Sequence, residues 1–347
     1  MEKNQLPSNH QDGIKIICTI GPATESPEML KKLADAGMNI ARCNFSHGSH
    51  EEHGAKFARI REMNKKYGTD VKIMLDTKGP DIRLGRFANG EVVLKNGALF
   101  SLYGDERVGD ENGVSVTFKD LYKYVKKGNQ IWLSSGIIIT EVVDVKPATK
   151  EVVVKVIYGG KVSNNKCLTT PGVDIPLEFL READIADLKY GVEQKVDMIA
   201  ASFVTCAEDI RRMREIVGNI PIIAKIESEK GIKNVDEIIA EADGMMVARG
   251  GLGDNFPVEK VPTLQKMMIK KTNAAGKFII VATEMMLNMM AKPRPSRAEV
   301  NDVANAIYDG ADAVMTSEET AIGEFPIETI HHMKNIAHEA WQQKYSK

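Results

Sequence analysis

A strand–helix alternation that begins at Ile14, breaks off near Leu84 and resumes after Pro176 constrains this 347-residue chain more than any other feature. Short apolar runs at Ile14–Thr19, Met38–Asn44 and Val71–Asp76 are separated by amphipathic stretches at Pro27–Ala36 and His50–Lys66. That order is the mark of parallel βα units. After Pro176 the pattern predicts helices over 182–194, 207–217, 232–241, 261–275, 296–309 and 327–342. Strands are expected at 198–202, 221–226, 244–248, 278–282 and 313–315. Three strands before the break and five after it make eight, the number that closes a (β/α)8 TIM barrel. Between the two halves lie β-branched runs at 91–94, 113–117, 130–133, 136–143 and 151–156, divided by Asn-Gly and Gly-Gly turns, with one helical stretch at 118–125. They predict a small all-β module inserted after the third strand. The expected division is a poorly ordered tail at 1–13, a barrel at 14–84 and 172–347, and an inserted β-barrel lid at 85–171.

In such a barrel the chemistry sits at the C-terminal ends of the strands. The fifth strand runs Pro221-Ile-Ile-Ala-Lys-Ile-Glu227. Residues two apart on a strand share a face, so Lys225 and Glu227 emerge together, a cation beside a carboxylate. Such a pair suits an anionic substrate held next to a divalent metal, and equally a surface ion pair on an edge strand. The other strand ends supply Arg42, Lys78, Arg83 and Arg249, cations that can fork onto a phosphate or carboxylate. Gly250-Gly251-Leu252-Gly253 is read as a turn that lets backbone N–H groups approach an anion.

The bulk numbers narrow the partners. With 46 basic and 48 acidic side chains the formal charge is −2, and no polybasic run points to nucleic acid or a membrane surface. No apolar stretch has the length to span a bilayer, and the first 13 residues lack the apolar core of a signal peptide. The four cysteines are scattered, as expected of reduced thiols in a cytoplasmic protein. The seven histidines show no zinc spacing.

Six stretches, taken together and in order, resemble the pyruvate kinase family: Ile17-Cys-Thr-Ile-Gly-Pro22, Asn44-Phe-Ser-His-Gly48, Leu75-Asp-Thr-Lys-Gly-Pro80, Ala224-Lys-Ile-Glu227, Met246-Val-Ala-Arg-Gly250 and Pro293-Arg-Pro-Ser-Arg-Ala-Glu299. The resemblance covers about 14–342. It implies transfer of a phosphoryl group from phosphoenolpyruvate to ADP, giving pyruvate and ATP. By resemblance, Lys225 stabilises the transferring phosphoryl group and the enolate. Thr283 lies in the proton-delivery path, and Arg42 holds the phosphate. Ser202, Arg249, Gly250, Gly251 and Thr283 are carried over to the substrate, and Arg42, Asn44, Arg83 and Lys166 to the nucleotide. Glu227 is carried over as a ligand of Mg²⁺ or Mn²⁺, and Asn44, Ser46, Asp76 and Thr77 as K⁺ ligands. Asp81, where the family often has Glu, keeps a carboxylate beside that K⁺ site, so K⁺ dependence is expected. A homodimer through barrel faces is compatible with this reading.

The chain departs from the family pattern in identifiable places. The sixth-strand motif has Gly251 where the family has the Asp that is its second divalent-metal ligand. The usual Asp-Asp-Gly of the lid is Ser134-Ser135-Gly136, and its usual Lys-Gly-Val-Asn-Leu-Pro-Gly is Lys166-Cys-Leu-Thr-Thr-Pro-Gly172. The sequence stops where the family's C-terminal domain would begin. Two carboxylates are gained, Glu284 and Glu318, and either is a candidate replacement ligand. Three readings follow. One is a pyruvate kinase with reduced or retuned metal and nucleotide use. Another is a homologue doing other enolpyruvate or 2-oxo acid chemistry without ADP, such as aldol, decarboxylase or phosphonate reactions. The third is a catalytically silent relative.

Overall fold

The computed structural model describes Leu6 and residues 13–345; the remainder of the expected tail, 1–5 and 7–12, lies outside the described residues. The chain divides into two compact units, one of Met1–Gly79, Phe179–Arg249 and Pro262–Lys347, the other of Pro80–Glu178 and Gly250–Val261.

The first unit is a closed parallel barrel of eight strands: Lys15–Thr19, Ile40–Asn44, Lys72–Asp76, Met198–Ala201, Ile222–Ile226, Gly244–Ala248, Phe278–Ala282 and Ala313–Thr316. Each pairs with its sequence neighbours, and the eighth returns to the first through Lys15↔Ala313 and Cys18↔Thr316. Strands covered on both faces read as continuous apolar runs, which is why Ile222–Ile226 and Phe278–Ala282 are buried at every position. Alternation then sorts the side chains. Ile17, Ile40, Met74, Met198, Ala200, Ile223, Met246, Phe278, Ile280, Ala282, Ala313 and Met315 fill the interior, with Leu6 packed against them. A Phe278→Ala change there is expected to cost about 3–5 kcal/mol.

The helices start where their caps dictate. Ser49 and Ser296 each accept from the amide three residues on, while Glu52 and Glu299 return the bond to the cap amide. Gly37, Gly68 and Gly310 end their helices at positive φ. The helix expected over 232–241 is two helices, Glu229–Lys233 and Val235–Glu241, sharing Asn234 at the break. The glycine-rich run after the sixth strand, read as a turn, is a short helix, Arg249–Asn255. Glycine has poor helix propensity, so the sequence pattern pointed the other way.

In the second unit a seven-stranded sheet runs Ile82–Arg83, Cys167–Thr169, Gln130–Leu133, Ile138–Lys146, Glu151–Tyr158, Leu99–Tyr103, Gly113–Ser115, and a bridge between Leu84 and Val116 links its two ends. Its core holds Leu84, Phe87, Phe100, Leu102, Ile131, Leu133 and Val154. The expected helix over 118–125 is only the 3₁₀ turn Leu121–Lys123. Ser134 and Ser135 sit at φ 53° and 57° ahead of Gly136 at 76°, and the Ser135 amide donates to Cys167 Sγ at 3.3 Å. The changed residues of the two altered motifs thus meet each other.

Candidate active site

The inward register that packs the barrel core also builds the site. One step beyond Ile17, Ile40, Met74, Ala200 and Ile223 come Thr19, Arg42, Asp76, Ser202 and Lys225, all largely buried. Lys225 Nζ donates to Asp76 Oδ1 (3.0 Å) and to Ser202 Oγ (2.7 Å), and lies 3.6 Å from Glu227 Oε1. Arg42 Nε donates to Asp76 Oδ2 at 2.6 Å and its Nη1 to Thr19 Oγ1 at 2.8 Å. Asp76 is therefore the common counter-ion of two cations.

The end of the fourth strand fixes the acceptors. Ser202 Oγ donates to the Thr77 carbonyl at 2.6 Å, and the Ser202 amide donates to Thr77 Oγ1 at 3.0 Å. Phe203 then turns to φ 58°, and its amide donates to Glu227 Oε2 at 2.8 Å. Burial opposes ionisation of both carboxylates, with opposite outcomes. At Asp76 the Arg42 and Lys225 charges outweigh burial and hold the carboxyl below its usual range. At Glu227 burial prevails over the Lys225 charge and the Phe203 amide, and pushes it up.

The loop after the second strand is held from several sides. Ser46 N donates to Asn44 Oδ1 at 3.0 Å, and Phe45 N to the Asp76 carbonyl at 2.9 Å. Phe45 stacks on His53 with ring centroids 4.0 Å apart. His53 Nε2 lies 2.8 Å from the His47 carbonyl, so that nitrogen carries the proton, and burial lowers the pKa of the ring.

The remaining candidates have other surroundings. Arg249, carried over to the substrate, gives its guanidinium to the Ala282 and Thr283 carbonyls and to Asp302 Oδ1 (2.6 Å). Thr283 and Glu284 have φ of 79° and 55°; Thr283 is half-buried and Glu284 exposed, as is Glu318. In the second unit Arg83 pairs with Asp81 at 2.6 Å, Lys166 is exposed, and Gly250 and Gly251 lie in the short helix.

The oxygens expected to meet K⁺ already have partners: Asn44 Oδ1 accepts from the Ser46 amide, the Thr77 carbonyl from Ser202 Oγ, and Asp76 from Arg42 and Lys225. Glu227 offers a divalent ion one carboxylate. Among the described residues no three His, Cys, Asp or Glu side chains form a metal-holding group, so neither Glu284 nor Glu318 completes a preformed three-residue centre with Glu227. A divalent ion held by Glu227 would need its remaining ligands from beyond this carboxylate, and Mg²⁺ commonly keeps several waters.

A family model, the barrel domain of pyruvate kinase, matches residues 12–330. The chain belongs to the pyruvate kinase family. Proteins named pyruvate kinase from Geobacillus stearothermophilus and Bacillus licheniformis are 49% and 48% identical over 328 residues, which is 93% of this chain and 56% of each relative. One from Chlamydia trachomatis serovar D is 46% identical over 331 residues, 94% of this chain and 68% of the relative. The chain thus spans a little over half the length of the first two pyruvate kinases.

Sequence reasoning named Arg42, Asp76, Thr77, Ser202, Lys225 and Glu227, and the fold brings them together. It missed Thr19, whose inward position after Ile17 was a readable signal, and the Phe203 amide, for which a sequence carries none. It also missed Asp302 and the buried Glu319, which accepts from the Met286 and Ser317 amides at 3.1 and 2.6 Å. Among the described residues no helix is long and apolar enough to cross a membrane.

Proposed function

We propose that this chain is a pyruvate kinase-type phosphotransferase, moving the phosphoryl group of phosphoenolpyruvate to ADP. One observation carries the reading: Lys225, between Asp76, Ser202 and Glu227 at the barrel's strand ends, is a largely buried ammonium in an array of oxygens. A β-phosphate oxygen of ADP attacks phosphorus, the bond from phosphorus to the C2 oxygen breaks, and the resulting enolate takes a proton at C3 to give pyruvate. Negative charge moves from the phosphoryl oxygens to the C2 oxygen, and a fixed ammonium in a dry site favours both ends of that path. Arg42, oriented by Asp76 and Thr19, adds a second cation for the phosphate. Thr283 serves the proton-delivery path to C3. Glu227 would hold Mg²⁺ or Mn²⁺, and Asn44, Ser46, Asp76 and Thr77 would hold K⁺; bound cations neutralise phosphate charge. With Gly at 251 and Glu227 the one carboxylate assigned to the divalent ion, divalent-ion use is retuned toward binding together with substrate. Nucleotide use is retuned alongside it, since both lid motifs have changed. The site belongs to a cytoplasmic enzyme of small-molecule substrates.

Phosphorus NMR of a mixture with phosphoenolpyruvate, ADP, K⁺ and Mg²⁺ tests this. The expected result is the appearance of ATP resonances in step with loss of phosphoenolpyruvate. Inorganic phosphate without ATP, or no change, would contradict it.

A further inference from the structure

Thr283 is the residue of this site least able to hold its conformation unaided. Its φ of 79°, followed by Glu284 at 55°, places two non-glycine residues in the left-handed region in succession. For a β-branched side chain that is a true outlier, and it persists only where the surroundings over-determine it. Regular alternation would also put 283 on the outward face of the seventh strand, since Phe278, Ile280 and Ala282 face inward. The left-handed turn is what interrupts that alternation at the strand end.

The turn is gripped from two sides. Arg249 donates through Nε to the Ala282 carbonyl (3.2 Å) and the Thr283 carbonyl (3.1 Å), and through Nη2 to the Thr283 carbonyl again (2.5 Å). Beyond it, Glu319 accepts from the Met286 amide at 3.1 Å. Arg249 is itself aimed by Asp302, whose Oδ1 takes Nη1 at 2.6 Å from the helix Arg297–Asp309. Asp302 is the only carboxylate paired with Arg249 among the described residues' ion pairs. A planar guanidinium held at one edge by a carboxylate presents its other edge in a fixed direction, here onto two successive carbonyls.

We infer that Asp302 is a positioning residue which, by orienting Arg249 against the Ala282 and Thr283 carbonyls, holds Thr283 in the left-handed turn that its role in proton delivery needs. The inference rests on the proposed role of Thr283 in delivering a proton to C3. It reassigns Arg249 from substrate contact to bracing.

The test compares wild type with Asp302→Asn and Asp302→Leu, in the full chain with K⁺ and Mg²⁺. Two rates are read: deuterium uptake into the methyl group of pyruvate in heavy water, and ATP formation from phosphoenolpyruvate and ADP. A displaced catalytic group far from any lost contact costs on the order of 10–100-fold. The expected result in Asp302→Leu is a fall of that size in deuterium uptake, a smaller fall in ATP formation and a KM for phosphoenolpyruvate within about twofold of wild type. Asp302→Asn, which keeps an acceptor for Nη1, should lie between. Equal losses in both rates, tracking the folded fraction, would mean a merely structural role and overturn the inference, as would no loss. Should wild type show neither reaction, the kinase reading fails and a crystal structure of Asp302→Leu decides the positioning claim. Thr283 relaxed to negative φ supports it, and Thr283 still left-handed overturns it.

Discussion

Replacing Asp76 by Asn removes the shared counter-ion of the site while keeping its shape. Asp76 is 1% exposed, and the side chains it pairs, Arg42 and Lys225, are 10% and 11% exposed. Breaking a buried pair by removing one partner costs about 3–5 kcal/mol, because the remaining charge stays buried without compensation. Lys225 would keep Glu227 at 3.6 Å, but Arg42 would keep only the Thr19 hydroxyl, so the lower end, about 3 kcal/mol, is expected. Urea unfolding reads this if the barrel is followed alone. The two tryptophans help, since Trp132 lies in the inserted sheet and Trp341 in the last barrel helix. In a Trp132→Phe background, Trp341 fluorescence should show the midpoint falling by at least about 1 M. The exposed Lys31–Asp35 pair is the control, and Asp35→Asn should cost no more than about 1 kcal/mol. An Asp76→Asn midpoint as close to its parent as that of Asp35→Asn would refute the counter-ion argument.

Other outcomes follow from the same contacts. Asp76 and Glu227 should act on stability with opposite signs. Asp76, held low, contributes stability present above its unfolded pKa and lost as pH falls through its depressed folded value. Glu227, pushed up, contributes stability present below its unfolded pKa and lost as pH rises through its raised folded value. The stability difference between Glu227→Gln and wild type should therefore move toward the variant as pH rises from the usual glutamate range through the raised folded value, and a pH-independent difference would contradict the raised pKa. Lys277 donates to the Ile239, Ala240 and Ala242 carbonyls at 2.5–2.7 Å, closing the end of helix Val235–Glu241. Lys277→Met should cost about 1–3 kcal/mol by thermal unfolding, and no shift in Tm would deny it a capping role. Burial pushes the Cys43 thiol up to about 12 and raises Cys18 as well, whereas Cys167 is half-exposed. Under native conditions a thiol reagent should label Cys167 well before either buried cysteine, as peptide mapping would show.

The barrel was legible because its signal is periodic and repeated. Each βα unit declares itself through an apolar run followed by a helical stretch, and the Ser49–Glu52 and Ser296–Glu299 boxes mark two of the helix starts in the sequence itself. The inward set at the strand ends was legible for the same reason, since a period of two carries from Ile223 to Lys225 and Glu227. What the sequence could not give lies where the chain leaves its period. Phe203, Thr283 and Glu284 have positive φ with no glycine to announce it, and the bonds that hold them come from residues far along the chain. Arg249 reads as a free cation because its partner Asp302 is 53 residues away. The run Gly250-Gly251-Leu252-Gly253 reads as a turn because glycine disfavours helix, yet it lies within the helix Arg249–Asn255.

The most direct measurement is a lactate-dehydrogenase-coupled assay of wild type and Lys225→Met with phosphoenolpyruvate, K⁺ and Mg²⁺ or Mn²⁺, run with and without ADP. Pyruvate formation that requires ADP and is lost in Lys225→Met is the expected result. Pyruvate formed equally without ADP, or undiminished in Lys225→Met, would contradict a phosphotransferase built around Lys225.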